Sequence, residues 1–222
     1  MSIATCNALS SVYQISLRTI TKAMGLKSMI NARYAHCSCL VRETIIVFGG
    51  FAHQDVPEEP PQTLTQCESM SRWENYWEPI SPMNTARAFM SCAAIKDQYV
   101  YLFGGMSDYK ILNSIEKYDV ITDTWISLYF KLPTPLAKHV SVSLENGRHI
   151  LIMGGMSADF EPLADMYQLD LTVAKFVKKR QMKYARLNEG GQGAFLSQQW
   201  NIFFLNGYLD EYESEMYRPS KN

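Results

Sequence analysis

The sequence predicts an all-β fold assembled from about four repeats of a four-stranded antiparallel unit. Three observations carry that expectation. A hydrophobic strand closed by two glycines recurs as Ile46-Val47-Phe48-Gly49-Gly50, Tyr101-Leu102-Phe103-Gly104-Gly105 and Leu151-Ile152-Met153-Gly154-Gly155. A fainter copy, Phe203-Phe204-Leu205-Asn206-Gly207, follows near the end, so the repeats are spaced by 55, 50 and 52 residues. Secondly, Met70 and Trp77, Tyr118 and Trp125, and Leu169 and Phe176 are each seven residues apart. Thirdly, segments such as Ser114 to Asp119 alternate polar and apolar residues, the period of a half-buried strand.

Each repeat reads in the same order. In the first, Tyr34 to Val41 and Thr44 to Phe48 are the opening strands. The stretch 51–61 is a loop, because Pro57, Pro60 and Pro61 remove backbone donors. Thr65 to Met70 and the segment holding Trp77 and Ile80 complete that unit. The second repeat runs through Ala88 to Ile95, a Lys96-Asp97 turn, Tyr99 to Phe103, Ser114 to Asp119, a Thr122-Asp123 turn and Trp125 to Leu128. The third uses Val140 to Leu144, an Asn146-Gly147 turn, His149 to Met153, Met166 to Leu171 and Phe176-Val177. A partial fourth has Gly193 to Gln198, Gln199 to Leu205 and Glu215 to Tyr217. Val12 to Leu17 mirrors Met166 to Leu171 at a constant offset of 154, so the chain is expected to open on the last two strands of such a unit. The repeats fall at about 11–30 (partial), 31–81, 85–129, 136–179 and 184–218 (partial), in a single domain over 1–222.

Composition narrows the function. The 222 residues are 47% hydrophobic and 12% aromatic, which is globular. A net charge of −1 supplies no global attraction to nucleic acid or an anionic membrane. No apolar run approaches the roughly 20 residues that cross a bilayer. Cys6, Cys37, Cys39, Cys67 and Cys92 are odd in number and form no Cys-x-x-Cys pair, so buried thiols in a reducing compartment are expected. The expected location is cytoplasmic. The alternative is mitochondrial, because Arg18, Lys22, Lys27, Arg33 and Arg42 all precede the first acidic residue, Glu43.

The repeats resemble kelch repeats. Phe103-Gly104-Gly105, Tyr118-Asp119, Trp125 and Leu128, entered through Pro82-Met83 and Arg87, match the family pattern almost completely. The likeness covers about residues 11–218. Cys67 to Met70 replaces a Tyr-Asp strand, Phe176 replaces Trp, and Asn206-Gly207 replaces the double glycine. The resemblance implies a kelch-type β-propeller of about four antiparallel four-stranded blades, either incomplete or part of a larger ring. Rings in the family usually hold five to seven blades. It also implies protein partners such as cytoskeletal proteins or ubiquitin-ligase substrates.

In such a blade the second-to-third-strand loops share one face with the inter-blade connections, and propellers bind through that face. Arg33, Arg87, Lys138 and Arg186 are read as equivalent positions there, a cationic circle around the channel mouth fitted to an acidic peptide. The competing reading makes these residues repeat hallmarks that pair with backbone or a carboxylate. Phe51, Tyr109, Phe160 and Tyr208 join the candidate contact set, with Met106 and Met156 beside them. The acidic, proline-rich stretch 55–61 is a further candidate epitope. The expected function is therefore a non-catalytic protein-binding module; the alternative is a sugar- or small-molecule-modifying enzyme with its site at the channel mouth. No catalytic residue, metal or cofactor is expected. His36 and His139 are read as packing residues, and Gly190-Gly191-Gln192-Gly193 precedes no helix pattern that would cradle phosphate.

Overall fold

The computed structural model describes residues 27–52, 61–71, 73–74, 76–144 and 147–188, with the backbone of five further strands near the termini. Every regular element among the described residues is a β-strand. A hairpin of β1 (Val12–Ile15) and β2 (Ala23–Leu26) comes first, pairing Val12 with Leu26. The two-residue β3 (Arg33–Tyr34) leads into β4 (Cys37–Val41) and β5 (Thr44–Phe48). After β6 (Phe51–Ala52), which pairs with β3, come β7 (Cys67–Ser71) and β8 (Glu78–Ile80). The first sheet has the order β4-β5-β7-β8.

The second sheet is built from β9 (Ser91–Ile95) and β10 (Tyr99–Phe103), then β13 (Ile115–Asp119) and β14 (Thr124–Ser127). Its second-to-third loop carries a small hairpin, β11 (Met106–Ser107) with β12 (Lys110–Ile111). The third sheet is β15 (Val140–Ser143), β16 (His149–Met153), β17 (Met166–Asp170) and β18 (Lys175–Lys178). A fourth, three-stranded sheet holds β19 (Ala194–Leu196), β20 (Ile202–Phe204) and β21 (Glu215–Tyr217). Thus β21 occupies the third-strand position of the fourth sheet, while β1 pairs with β2 in a separate hairpin. The inner strands β4, β9, β15 and β19 lie beside one another in turn, so the sheets follow one another as blades.

Local chemistry explains the regularity. Lys96 and Asp97 both adopt positive φ (53° and 51°), the two-residue turn whose twist suits a hairpin. The seven-residue spacing is a register: Tyr118 sits opposite Trp125, and Leu169 opposite Phe176.

Blades join through their faces. Cys37, Cys39, Val41, Ile46, Phe48 and Cys67 of the first sheet pack against Met90, Cys92, Val100, Leu102 and Tyr118 of the second. Ala93, Ile95, Phe103 and Ile115 of the second meet Ile150, Ile152 and Leu169 of the third. Trp125 reaches back to the first sheet, edge-on to Phe48 at 5.6 Å, and its indole N–H donates to the Ser81 carbonyl at 2.8 Å. Trp77 donates in the same way to the Lys27 carbonyl at 3.0 Å. At these two places a large apolar ring with one polar tip packs against its neighbours and ties down the connection beside it, while Phe176 fills the joint between the second and third sheets without a polar tip.

Candidate partner-binding face

The double glycines form the edge of this face. Gly104 and Gly105 take φ of 53° and 93°, and a Cβ on Gly104 would stand 2.2 Å from the Leu136 carbonyl oxygen. Only glycine fits both the conformation and the space. This close approach lets one blade hold the next: Gly50 N–H donates to Arg87 O, Gly105 to Leu136 O and Gly155 to Arg186 O, all at 2.8–2.9 Å. Bridges Ala88–Met106 and Ala137–Met156 then lay the loops after the glycines against the inter-blade connections. The loops and connections therefore share one face.

The structure places the expected cationic circle differently. Arg33 is 2% exposed and Arg87 fully buried. Arg87 Nη1 donates to Gly104 O at 2.7 Å and to Ser114 O at 3.3 Å, while Nη2 pairs with Glu116 Oε1 at 2.7 Å. Arg33 does the same with Gly49 O, Gln66 O and Glu68. Each glutamate also receives a connection N–H, Asn84 on Glu116 and Ile30 and Asn31 on Glu68. Burial lowers the Arg87 pKa and the Glu116 charge opposes that drop. These guanidiniums are spent inside the blades, where they satisfy the first-glycine carbonyls and add a second bond to Gln66 O and Ser114 O, which already accept from Gly49 and Gly104 N–H. Arg186 is likewise buried, at 6% exposed.

Lys138 belongs to another position. The carbonyl acceptors identify Leu136, not Lys138, as the third-blade counterpart of Arg87. Lys138 instead shares φ of 54° with Ala35 and Phe89. Phe89 N–H donates to Ala35 O (2.9 Å), Lys138 to Phe89 O (2.8 Å) and Asn188 to Lys138 O (2.7 Å). This ladder stitches successive blades at the inner end of the face, and its residues form the rim. Sequence reasoning missed Ala35, Phe89 and Asn188. Their shared place, two residues after the buried slot, was the available signal.

The apolar candidates divide as well. Phe51 is buried, 5.2 Å from the Tyr34 ring and 5.7 Å from Phe89, and the Lys138 ammonium lies 4.8 Å over Phe89. Met106 and Met156 are buried with Ala137 against Phe89, Ile111 and Leu187. These residues form a floor. Tyr109 and Phe160, 67% and 55% exposed, stand above it on turns where both residues take positive φ (62° and 63°). The Phe160 turn is closed by Phe160 N–H to Ser157 O and Ser157 N–H to Glu161 O. Tyr208, the stretch 53–60 and the glycines 190–193 lie outside the described residues.

His139 is buried and His36 nearly so; burial pushes their pKa values down to about 3 and about 4. Both are neutral side chains immediately before the inner strands β4 and β15. Among the described residues no group of three or more His, Cys, Asp or Glu is arranged to hold a metal ion. Cys37, Cys39, Cys67 and Cys92 are buried free thiols.

Comparison with known proteins agrees with this geometry. Residues 4–207 match the family model for the KLHDC2/KLHL20/DRC7 Kelch-repeats domain. Kelch-like protein 38 of Rattus norvegicus is 30% identical over 182 residues, 81% of this chain and 28% of that protein. N-acetylneuraminate epimerase 1 of Escherichia coli is 27% identical over 154 residues, 67% of this chain and 37% of the enzyme. Alpha-scruin of Limulus polyphemus is 31% identical over 86 residues, 38% of this chain and 9% of scruin. The chain thus spans less than two fifths of each of these relatives. With the double-glycine turns, the outer-strand tryptophans and a family match over most of its length, the chain belongs to the kelch-repeat family.

Proposed function

We propose that the chain is a non-catalytic protein-binding module that engages its partner through the loop face, with Tyr109 and Phe160 as anchors and Lys138 at the rim. One observation carries the reading: two large rings are held out from tight turns above a packed floor. Exposed aromatics on pre-formed loops lose little conformational freedom on binding, which is how a few residues come to dominate an interface. Kelch repeats generally mediate protein–protein interaction, and the likeness to Kelch-like protein 38 and to alpha-scruin supports a protein partner. Cytoskeletal proteins and ubiquitin-ligase substrates are the partner kinds that fit, and the free thiols suit the reducing cytoplasm.

The likeness to an epimerase favours a second reading, a small-molecule enzyme at the channel mouth. An enzyme there needs converging acid–base groups. The described rim positions carry Ala35, Phe89, Lys138 and Asn188, while Glu68 and Glu116 are sealed against arginines. That distribution supports binding over catalysis.

The test is affinity purification of the wild-type chain beside a Tyr109→Ala/Phe160→Ala variant, with quantitative mass spectrometry. Specific partners should be lost from the variant while its melting temperature stays within a few degrees. An unchanged partner set would remove the loop face as the contact surface.

A further inference from the structure

We propose that the outer strand of the third sheet, β18, with the connection after it, binds an extended acidic segment of a partner protein. This surface is separate from the loop-face anchors. Residues 171–188 contain Lys175, Lys178, Lys179, Arg180, Lys183 and Arg186 and no Asp or Glu, in a chain whose net charge is −1. Arg186 is buried, but Lys175, Arg180 and Lys183 are exposed. Lys178 stays 54% exposed although it pairs with Asp165 at 2.9 Å. The result is a concentrated cationic edge.

The repeat pattern does not account for it. Register matches Lys175, Lys178, Lys179 and Arg180 with Thr124, Ser127, Leu128 and Tyr129 of the second sheet. In the first sheet the positions of Lys178, Lys179 and Arg180 hold Pro79, Ile80 and Ser81. None of those residues is charged. Edge strands often carry lysines to discourage aggregation, yet the sister outer strands do without them. The cations are therefore particular to the third blade.

Shape and chemistry select the occupant. An outer strand directs half of its backbone donors and acceptors outward, ready to pair with an extended segment. Along β18 the alternate residues Lys175 and Val177 point to one side, and Val177 is 48% exposed. Along that side charge and apolar contact alternate every second residue, which suits an extended segment whose same-side residues, two apart, are alternately carboxylate and aliphatic. Nucleic acid fits less well, because it needs open aromatic faces on which bases stack. Phe176 instead turns into the joint, 6.3 Å from Phe130, and the Lys183 ammonium sits 4.8 Å over the Tyr184 ring.

The experiment is fluorescence anisotropy with the full chain and a labelled Glu-Ser-Val-Ser repeat peptide at low and physiological salt, with oligouridine RNA in parallel. Wild type should bind the peptide, more weakly at higher salt. Lys175→Glu/Lys179→Glu/Arg180→Glu should weaken binding by about tenfold or more and flatten the salt dependence. If that variant does not fold, the glutamine triple replaces it, with a smaller loss expected. Tyr109→Ala/Phe160→Ala should bind the peptide normally, which separates this surface from the loop face. Absence of peptide binding, indifference to charge reversal, or tighter binding of the RNA would each overturn the proposal.

Discussion

The second and third sheets share strand order, glycine turns and register, yet they lock their inter-blade connections differently. In the second, Arg87 and Glu116 form a buried ion pair that gathers Gly104 O, Ser114 O and Asn84 N–H. In the third, Leu136 takes the arginine's place and Tyr167 the glutamate's, opposite Ile152 as Glu116 is opposite Leu102. Asp165, at the place of Ser114, accepts from Tyr167 Oη, Lys178 Nζ and Gln181 Nε2 nearer the surface, and so fixes the connection that leaves the third sheet. One fold accommodates both because the connection must be fixed while the means is open. A buried ion pair adds little net stability over a well-packed apolar pair, because desolvation offsets much of the Coulombic gain.

The largest effect should come from splitting that pair. Arg87→Leu leaves Glu116 buried and unpaired, and should cost about 3–5 kcal/mol, read as a lower urea midpoint. Adding Glu116→Tyr installs the third sheet's pair and should recover all but about 1–2 kcal/mol, since a well-packed apolar pair often matches a buried ionic one. A double variant as unstable as the single would show that the two sheets are not interchangeable at this position.

The joints on either side of the second sheet differ too. The first is sulfur-rich: Cys37, Cys39, Cys67, Met83, Met90 and Cys92 share one cluster. Across the second, Ser91 is opposite Phe103 and Ser141 opposite Ile152, so both hydroxyls look into the joint, with His139 one strand step away. Among the described residues Ser91 Oγ, Ser141 Oγ and both His139 nitrogens have no protein hydrogen-bond partner. His139 holds its proton only below about pH 3, against an ordinary 6.5, because burial disfavours the charged imidazolium. The unfolded chain therefore takes up a proton between those values that the folded chain refuses. Stability is full above pH 6.5 and falls as pH drops towards 3. His36 adds a loss of the same sign down to about pH 4. His139→Met, which copies Met90, should reduce the stability lost between pH 7 and pH 5 by about 2 kcal/mol. Parallel pH profiles of the two proteins would contradict the buried neutral imidazole.

Much of this was legible in the sequence, because the fold repeats. The period-two pattern, the double glycines and the seven-residue spacing are local, and Thr44–Phe48, Tyr99–Phe103 and His149–Met153 match the expected strands to the residue. The arginines were harder. Their spacing marked a shared position, but spacing does not say whether a guanidinium faces solvent or a glutamate more than 25 residues away. Lys138 looked equivalent because it is basic and precedes an inner strand, whereas the backbone bonds give the slot to Leu136. Tyr109 and Phe160 were placed correctly on loops, but their exposure, and the burial of Phe51, depend on how neighbouring blades meet.

The smallest effect tests whether the two joints are tuned to their own chemistry. Cys92 and Ser141 hold corresponding inner-strand positions. The Cys92 thiol lies beside those of Cys37 and Cys39, which together with burial push its pKa well above the usual range, and it donates to Ser38 O at 3.3 Å. Cys92→Ser places a hydroxyl among sulfurs and should cost about 1–2 kcal/mol, the penalty for burying a poorly paired polar group. Ser141→Cys removes a buried hydroxyl that has no protein partner and adds a soft, apolar atom of slightly larger size. It should be neutral or stabilising by up to about 1 kcal/mol. Opposite signs for these reciprocal exchanges would show that the first joint is held by apolar packing and that the second carries polar groups at a cost to stability. Equal losses would mean instead that each joint is shaped around its own side chains, with volume outweighing polarity.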